Sequence, residues 1–185
     1  SLYRQALLDG LWFDSHGETS EDSKRTQHYQ QENQRNQKRS SYTSLDQYLS
    51  SLEMKSNLDT INENNIDRVV QLLGKTNQFN LTTRRHTHEN VKQILEQPNS
   101  LGLTLSLKDK FGDYGLISVL LAYQTSNKPN TLHIDSWLMS CRTIARNVEQ
   151  HLFNHLIEHA KKNDISHITA EYAPTAKNTL VKDLY

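Results

Sequence analysis

The sequence is short of cysteine: among its 185 residues Cys141 is the only one. No intramolecular disulfide can form, which fits a reducing compartment, and a cytoplasmic protein is expected. An excess of one charge is also missing, since Lys plus Arg number 21 and Asp plus Glu number 21. Without a basic excess to release counterions, a nucleic-acid partner is not expected. No apolar run approaches the roughly 20 residues that a bilayer-spanning helix needs. No charged-then-apolar leader opens the chain, and no membrane role is expected. Apolar residues make up only 35%, below the usual globular share, so part of the chain must be polar and poorly buried. The first residue is Ser1 and not Met. We therefore expect a piece of a longer protein.

The polar excess sits at the front. Residues 18–43 are rich in Gln, Asn, Glu, Lys and Arg and hold no Gly or Pro after the start. A helix is permitted there, with Thr19 and Asp22 resembling a capping-box start. Its weak apolar stripe suits a helix packed on a missing neighbour, or a solvated linker. The opening Leu2, Ala6, Leu7, Leu8, Leu11, Trp12 and Phe13 are apolar enough to need a partner. Residues 1–43 read as the tail of a preceding domain plus a connector, and residues 44–185 as the main domain.

In that domain Leu45, Tyr48, Leu49 and Leu52 have helical spacing, and residues 53–58 suit a first strand. Ile66, Val69, Val70, Leu72 and Leu73 form the apolar face of a helix ending near Gly74. Residues 87–97 suit another, stopped by Pro98. Leu101, Leu103, Leu105 and Leu107 alternate as in a half-buried strand. Leu116–Tyr123 is a denser run that suits a central strand. A further strand starts at Leu132, after hairpin-type turns at 108–115 and 126–130. A helix is predicted over 146–162 from Val148, Leu152, Phe153, Leu156, Ile157 and Ala160. A strand follows at 165–172, then a last helix from Lys177 to Tyr185. This order predicts a mixed sheet with flanking helices, of the α/β or α+β type.

The order is similar to that of the GNAT acyltransferases, without their last two strands. The resemblance puts an anion-binding loop at Arg142-Thr143-Ile144-Ala145-Arg146-Asn147, between strand and helix. Backbone N–H groups at a helix N-terminus bind a pyrophosphate there, and glycines let it come close. Here Ala145 and Asn147 stand at the usual glycine positions, and their side chains narrow that approach. The resemblance implies a general base at Asp135 and a proton-donating Tyr at Tyr185, in a segment that opens with Asn178.

The wording is more specific than the order. Ser51-Leu52-Glu53-Met54, Lys75-Thr76-Asn77-Gln78-Phe79-Asn80-Leu81-Thr82-Thr83-Arg84-Arg85, residues 107–115, Ser140-Cys141-Arg142 and Pro174-Thr175-Ala176-Lys177-Asn178 resemble the C-terminal domain of FkbH-like proteins. Residues 7–14 and 22–29 are similar to the end of that family's HAD-type phosphatase domain. The resemblance implies loading of a glyceryl-type three-carbon unit from 1,3-bisphosphoglycerate onto an acyl carrier protein for polyketide assembly. The HAD-type domain, with its Mg2+, is the expected seat of that chemistry and the expected partner in the same chain. For this piece the expected role is binding CoA or the carrier's phosphopantetheine arm. The alternative is a non-catalytic docking or structural module.

Other candidates carry a bland alternative. Cys141 stands at a strand-to-helix junction and could accept an acyl group; it also suits a small core residue. Asp135 suits an ordinary turn or surface carboxylate better than a general base. Arg84 and Arg85, with Asn77, Gln78, Asn80 and Thr83, would suit a phosphate or carboxylate of an acyl arm, or a capped helix entry. His151, His155 and His159 form a row on one helix face, without an accompanying carboxylate motif. It reads as a boundary row, His86 and His88 are weaker still, and no metal site is expected.

Overall fold

A computed structural model describes residues 20–125, 127–128 and 130–184, with side chains from Tyr29 onward. The chain forms two compact units, Ser1–Ser51 and Leu52–Tyr185. In the first, helix α1 covers Ser20–Arg39 and α2 covers Leu45–Ser51. The HAD-like segment 7–14 lies outside the described residues.

The second unit is built on a six-stranded mixed sheet. In chain order it contains β1 (Lys55–Thr60), α3 (Ile66–Lys75), β2 (Phe79–Asn80), α4 (His88–Leu95), β3 (Leu101–Asp109), β4 (Gly112–Gln124), β5 (Thr131–Met139), α5 (Val148–Lys162) and β6 (His167–Ala170). The sheet order is β1-β3-β4-β5-β2, with β6 parallel to β5. The mixed sheet with flanking helices is the architecture expected from the sequence.

Periodicity explains the layers. In β4 the run Ile117–Ala122 is buried throughout, as a strand covered on both faces requires. One face packs Leu103, Leu105, Leu120, Leu132 and Trp137 against Leu152 and Leu156 of α5. The other packs Val119, Leu121 and Leu138 against Val69, Leu73 and Val91 of α3 and α4. Each fully buried Leu contributes roughly 1.5–3 kcal/mol. Helix α4 starts in a capping box, in which Thr87 and Asn90 satisfy each other's backbone N–H.

Several elements differ from the expectation. β1 begins two residues late because Glu53 has φ +54, which no strand accommodates. The first hairpin turn is tighter, with strand pairing carried to Asp109 and Gly112. α5 starts at Val148 because Ala145 and Asn147 both have positive φ. The expected last helix is a single 3-10 turn, Thr179–Val181. Asn178 folds inward there and spends its side chain on loop backbone. β2 was not expected at all; a two-residue strand has no periodicity to read.

Candidate functional site

The site grows from an irregularity in β5. Leu121 faces Ser136 and Ala122 faces Ile134, so Asp135 is the extra residue of a β-bulge. A bulge re-aims side chains, and Asp135 and Ser136 now share partners. Asp135 Oδ1 accepts from Arg84 Nη1 at 2.9 Å. Asp135 Oδ2 lies 2.7 Å from His86 Nε2 and accepts from Ser136 Oγ at 2.7 Å. His86 Nε2 is also 3.1 Å from Ser136 Oγ. Arg84 reaches on to Glu171 Oε2 at 2.5 Å, beyond the end of β6. Burial alone would raise the Asp135 carboxyl. Hydrogen bonds from His86 and Ser136, with the charges of His86 and Arg84, outweigh it and hold Asp135 at about 2. His133, one turn of the pleat away, is lowered by burial and by Arg84, against the pull of Asp135 and Glu171.

The second feature is where β5 and β6 part. They pair only from Thr131↔His167 to Ile134↔Ala170. Past that point β5 pairs instead with β2, Asn80↔Leu138 and Phe79↔Met139. The Leu81 N–H donates to Trp137 O at 3.4 Å, and Leu81 O accepts from the Ala173 N–H at 2.9 Å. Residues 79–82 thus fill the wedge between β5 and the chain after β6. Asn178 clasps them, donating to Asn80 O and Ala173 O, each at 2.9 Å.

No family model matches the chain, and no curated protein sequence matches it. Solved structures do. The ribosomal-protein-S18-alanine N-acetyltransferase of Escherichia coli superposes with a TM-score of 0.51 at 10% identity, over 71% of this chain and 74% of that one. A ribosomal-protein-alanine N-acetyltransferase of Brucella melitensis gives 0.49 at 12%, over 71% and 88%. An aminoglycoside acetyltransferase from an uncultured soil sample gives 0.49 at 14%, over 72% and 88%. The fold is that of the GNAT acetyltransferases.

On this GNAT scaffold the sequence-derived residues fall as follows. Ala145 and Asn147 hold φ +63 and +59, the left-handed conformation that glycine adopts freely. The loop therefore keeps a glycine-type backbone with side chains added. Arg142 is exposed, Ile144 packs on the core, and Thr143 is buried with its hydroxyl on Ser140 O. Arg146 is turned inward, its guanidinium 5.0 Å from the Tyr114 ring centre and 3.5 Å from Asp109. An extended arm such as that of CoA or phosphopantetheine would pair with a free strand edge. Between Trp137 and Met139, β5 offers none, because residues 79–81 already occupy it.

The polar segment before α4 also has internal partners. Arg85 donates to Leu73 O at the end of α3 and to Asn77 Oδ1, the helix-capping use of a cation. Asn80 bonds Thr76 O and the Thr83 N–H, and Thr83 has φ +53. Gln78 is exposed. Cys141 is exposed and opens a separate 3-10 turn, not α5. Tyr185 lies outside the described residues. No local signal ties His86, Ser136 and Glu171 to Asp135, apart from a His directly after the paired arginines. His155 and His159 bond the backbone carbonyls of His151 and Asn99. Among the described residues no group of three or more His, Cys, Asp or Glu could hold a metal ion. No helix among them is long and apolar enough to cross a membrane.

The loop backbone yields a direct prediction. Ala145→Gly should stabilise the domain by about 1 kcal/mol, the strain an L-residue carries in the left-handed region. Urea denaturation of the two proteins measures it; a loss of stability would mean that the Ala145 methyl group contributes more by packing than its backbone loses.

Proposed function

We propose that this chain is the C-terminal part of an FkbH-like protein that loads a glyceryl-type three-carbon unit from 1,3-bisphosphoglycerate onto an acyl carrier protein. In this reading the GNAT-fold domain docks the carrier protein and leaves the chemistry to an upstream HAD-type domain. The supporting observation is the place of residues 75–85. The segment that carries the family resemblance is also the one built into the β5–β6 wedge and tied to Asp135 and α3. Asp135, the residue expected as a general base, accepts hydrogen bonds from Arg84, His86 and Ser136 and is held at about 2. A carboxylate so stabilised is a weak proton acceptor at neutral pH, which favours docking over transfer.

A second reading, acyl transfer by the domain itself, draws on the GNAT fold and on the glycine-type backbone at Ala145 and Asn147.

Intact-protein mass spectrometry of a holo carrier protein separates the two. With 1,3-bisphosphoglycerate, the chain extended upstream through a HAD-type domain should add a glyceryl mass, and this chain alone should add none. With acetyl-CoA, this chain alone should also add none. An acetyl gain with this chain would favour the second reading. No gain from the extended chain, on a carrier known to be competent, would overturn the glyceryl-loading proposal.

A further inference from the structure

Glu149 lies in the first turn of α5. Its Oε2 is buried and has no hydrogen-bond partner among the described residues. Native proteins leave few such atoms, because an unmet buried acceptor costs about 1–3 kcal/mol, and more when charged. The N-terminal field of α5 favours a negative charge there but donates no hydrogen bond to it. Arg146, the nearby cation of the preceding loop, is turned toward Tyr114 and Asp109.

The carboxylate borders a cavity of about 430 Å³. Gln150 stands beside Glu149, and the rest of the lining is Trp137, Phe153, Ile168, Ala170 and Leu184. The Trp137 and Phe153 rings are parallel within 1° at a centroid separation of 6.0 Å. The lining therefore combines one carboxylate and one amide with aromatic and aliphatic side chains. This sets its preference: an anion would meet Glu149, whereas a cation gains a charge-assisted hydrogen bond and contact with the half-buried Phe153 ring.

We infer that this cavity binds an organic cation, with an ammonium or guanidinium head on Glu149 and an apolar body against Trp137 and Phe153, and that it rejects CoA. The anionic pyrophosphate of CoA would be brought toward a half-buried carboxylate, and its arm toward a strand edge already taken by residues 79–81. The cation-binding part of the inference stands apart from the glyceryl-loading reading, since it rests on the cavity and Glu149.

The test is an NMR titration of this chain with 2-phenylethylammonium, with 3-phenylpropanoate (a similar body of opposite charge) and with CoA. The indole N–H of Trp137, distinguished by a Trp12→Phe substitution, reports occupancy. Only the cation should give a saturable shift. Glu149→Gln, which keeps the shape and removes the charge, should weaken that binding about tenfold. Its folding is checked by urea denaturation, where stability should be equal or higher because a half-buried charge has gone. Equal binding of the anion or of CoA, no binding of the cation, or unchanged cation affinity in a folded Glu149→Gln protein would each overturn the inference.

Discussion

Asp135→Ala should lower the stability of the domain by about 2–4 kcal/mol, the result of removing a buried carboxylate that accepts several charge-assisted hydrogen bonds. The carboxylate is buried, and three side chains donate to it or share a proton with it. Its loss leaves Arg84 with Glu171 alone and His86 with Ser136 alone. In a domain of this size the melting temperature should fall by about 10 °C. Asp135→Asn, which keeps the shape, should lose less. Acid adds a second signature. The folded pKa, about 2, lies below the ordinary 3.8. Asp135 therefore contributes stability that is fully present above the ordinary value and disappears as pH falls through about 2. The depression corresponds to about 2 kcal/mol. Urea denaturation between pH 5 and pH 2, for wild type and Asp135→Asn, reads this directly. Parallel stability curves would show that the bulge cluster does not hold Asp135 ionised.

Asn178→Ala should cost about 2–4 kcal/mol, since two carbonyls, one buried and one half-buried, lose their donor together. The carbonyls are those of Asn80 and Ala173, and the same side chain accepts from the Thr175 N–H at 2.7 Å. The effect should also be local. Hydrogen exchange at the Leu81 and Ala173 amides should accelerate more than at the amides of β4, because the wedge opens before the sheet does. A ligand-binding Asn would behave differently, losing affinity with stability intact. Unchanged stability together with slow exchange at Leu81 would sink the clasp.

The parts legible in the sequence are those with a period. The alternation of Leu101, Leu103, Leu105 and Leu107, the dense run of β4 and the stripe of Leu152 and Leu156 each give one element its place and buried face. The family-like segment 75–85 and Asp135 were also legible, as residues of interest. Their relation was not, because Arg84 and Asp135 are separated by 51 positions and meet only across the sheet. The bulge that puts Asp135 and Ser136 on common partners has no one-residue signature. Nor do the left-handed angles of Ala145 and Asn147, since local preference argues against them for Ala.

The sequence by itself determined the type of the long periodic elements, the covered central strand and the absence of a charge excess or an apolar span, because those follow from side-chain spacing and count. Tertiary structure alone decided what the polar residues do. It turned Arg84, Arg85, Asn80 and Asn178 toward partners within the chain. It also left Glu149 Oε2 without one among the described residues. The physical reason is that a buried donor or acceptor must be satisfied by whatever the fold brings near it, and that neighbour is set by packing over the whole domain.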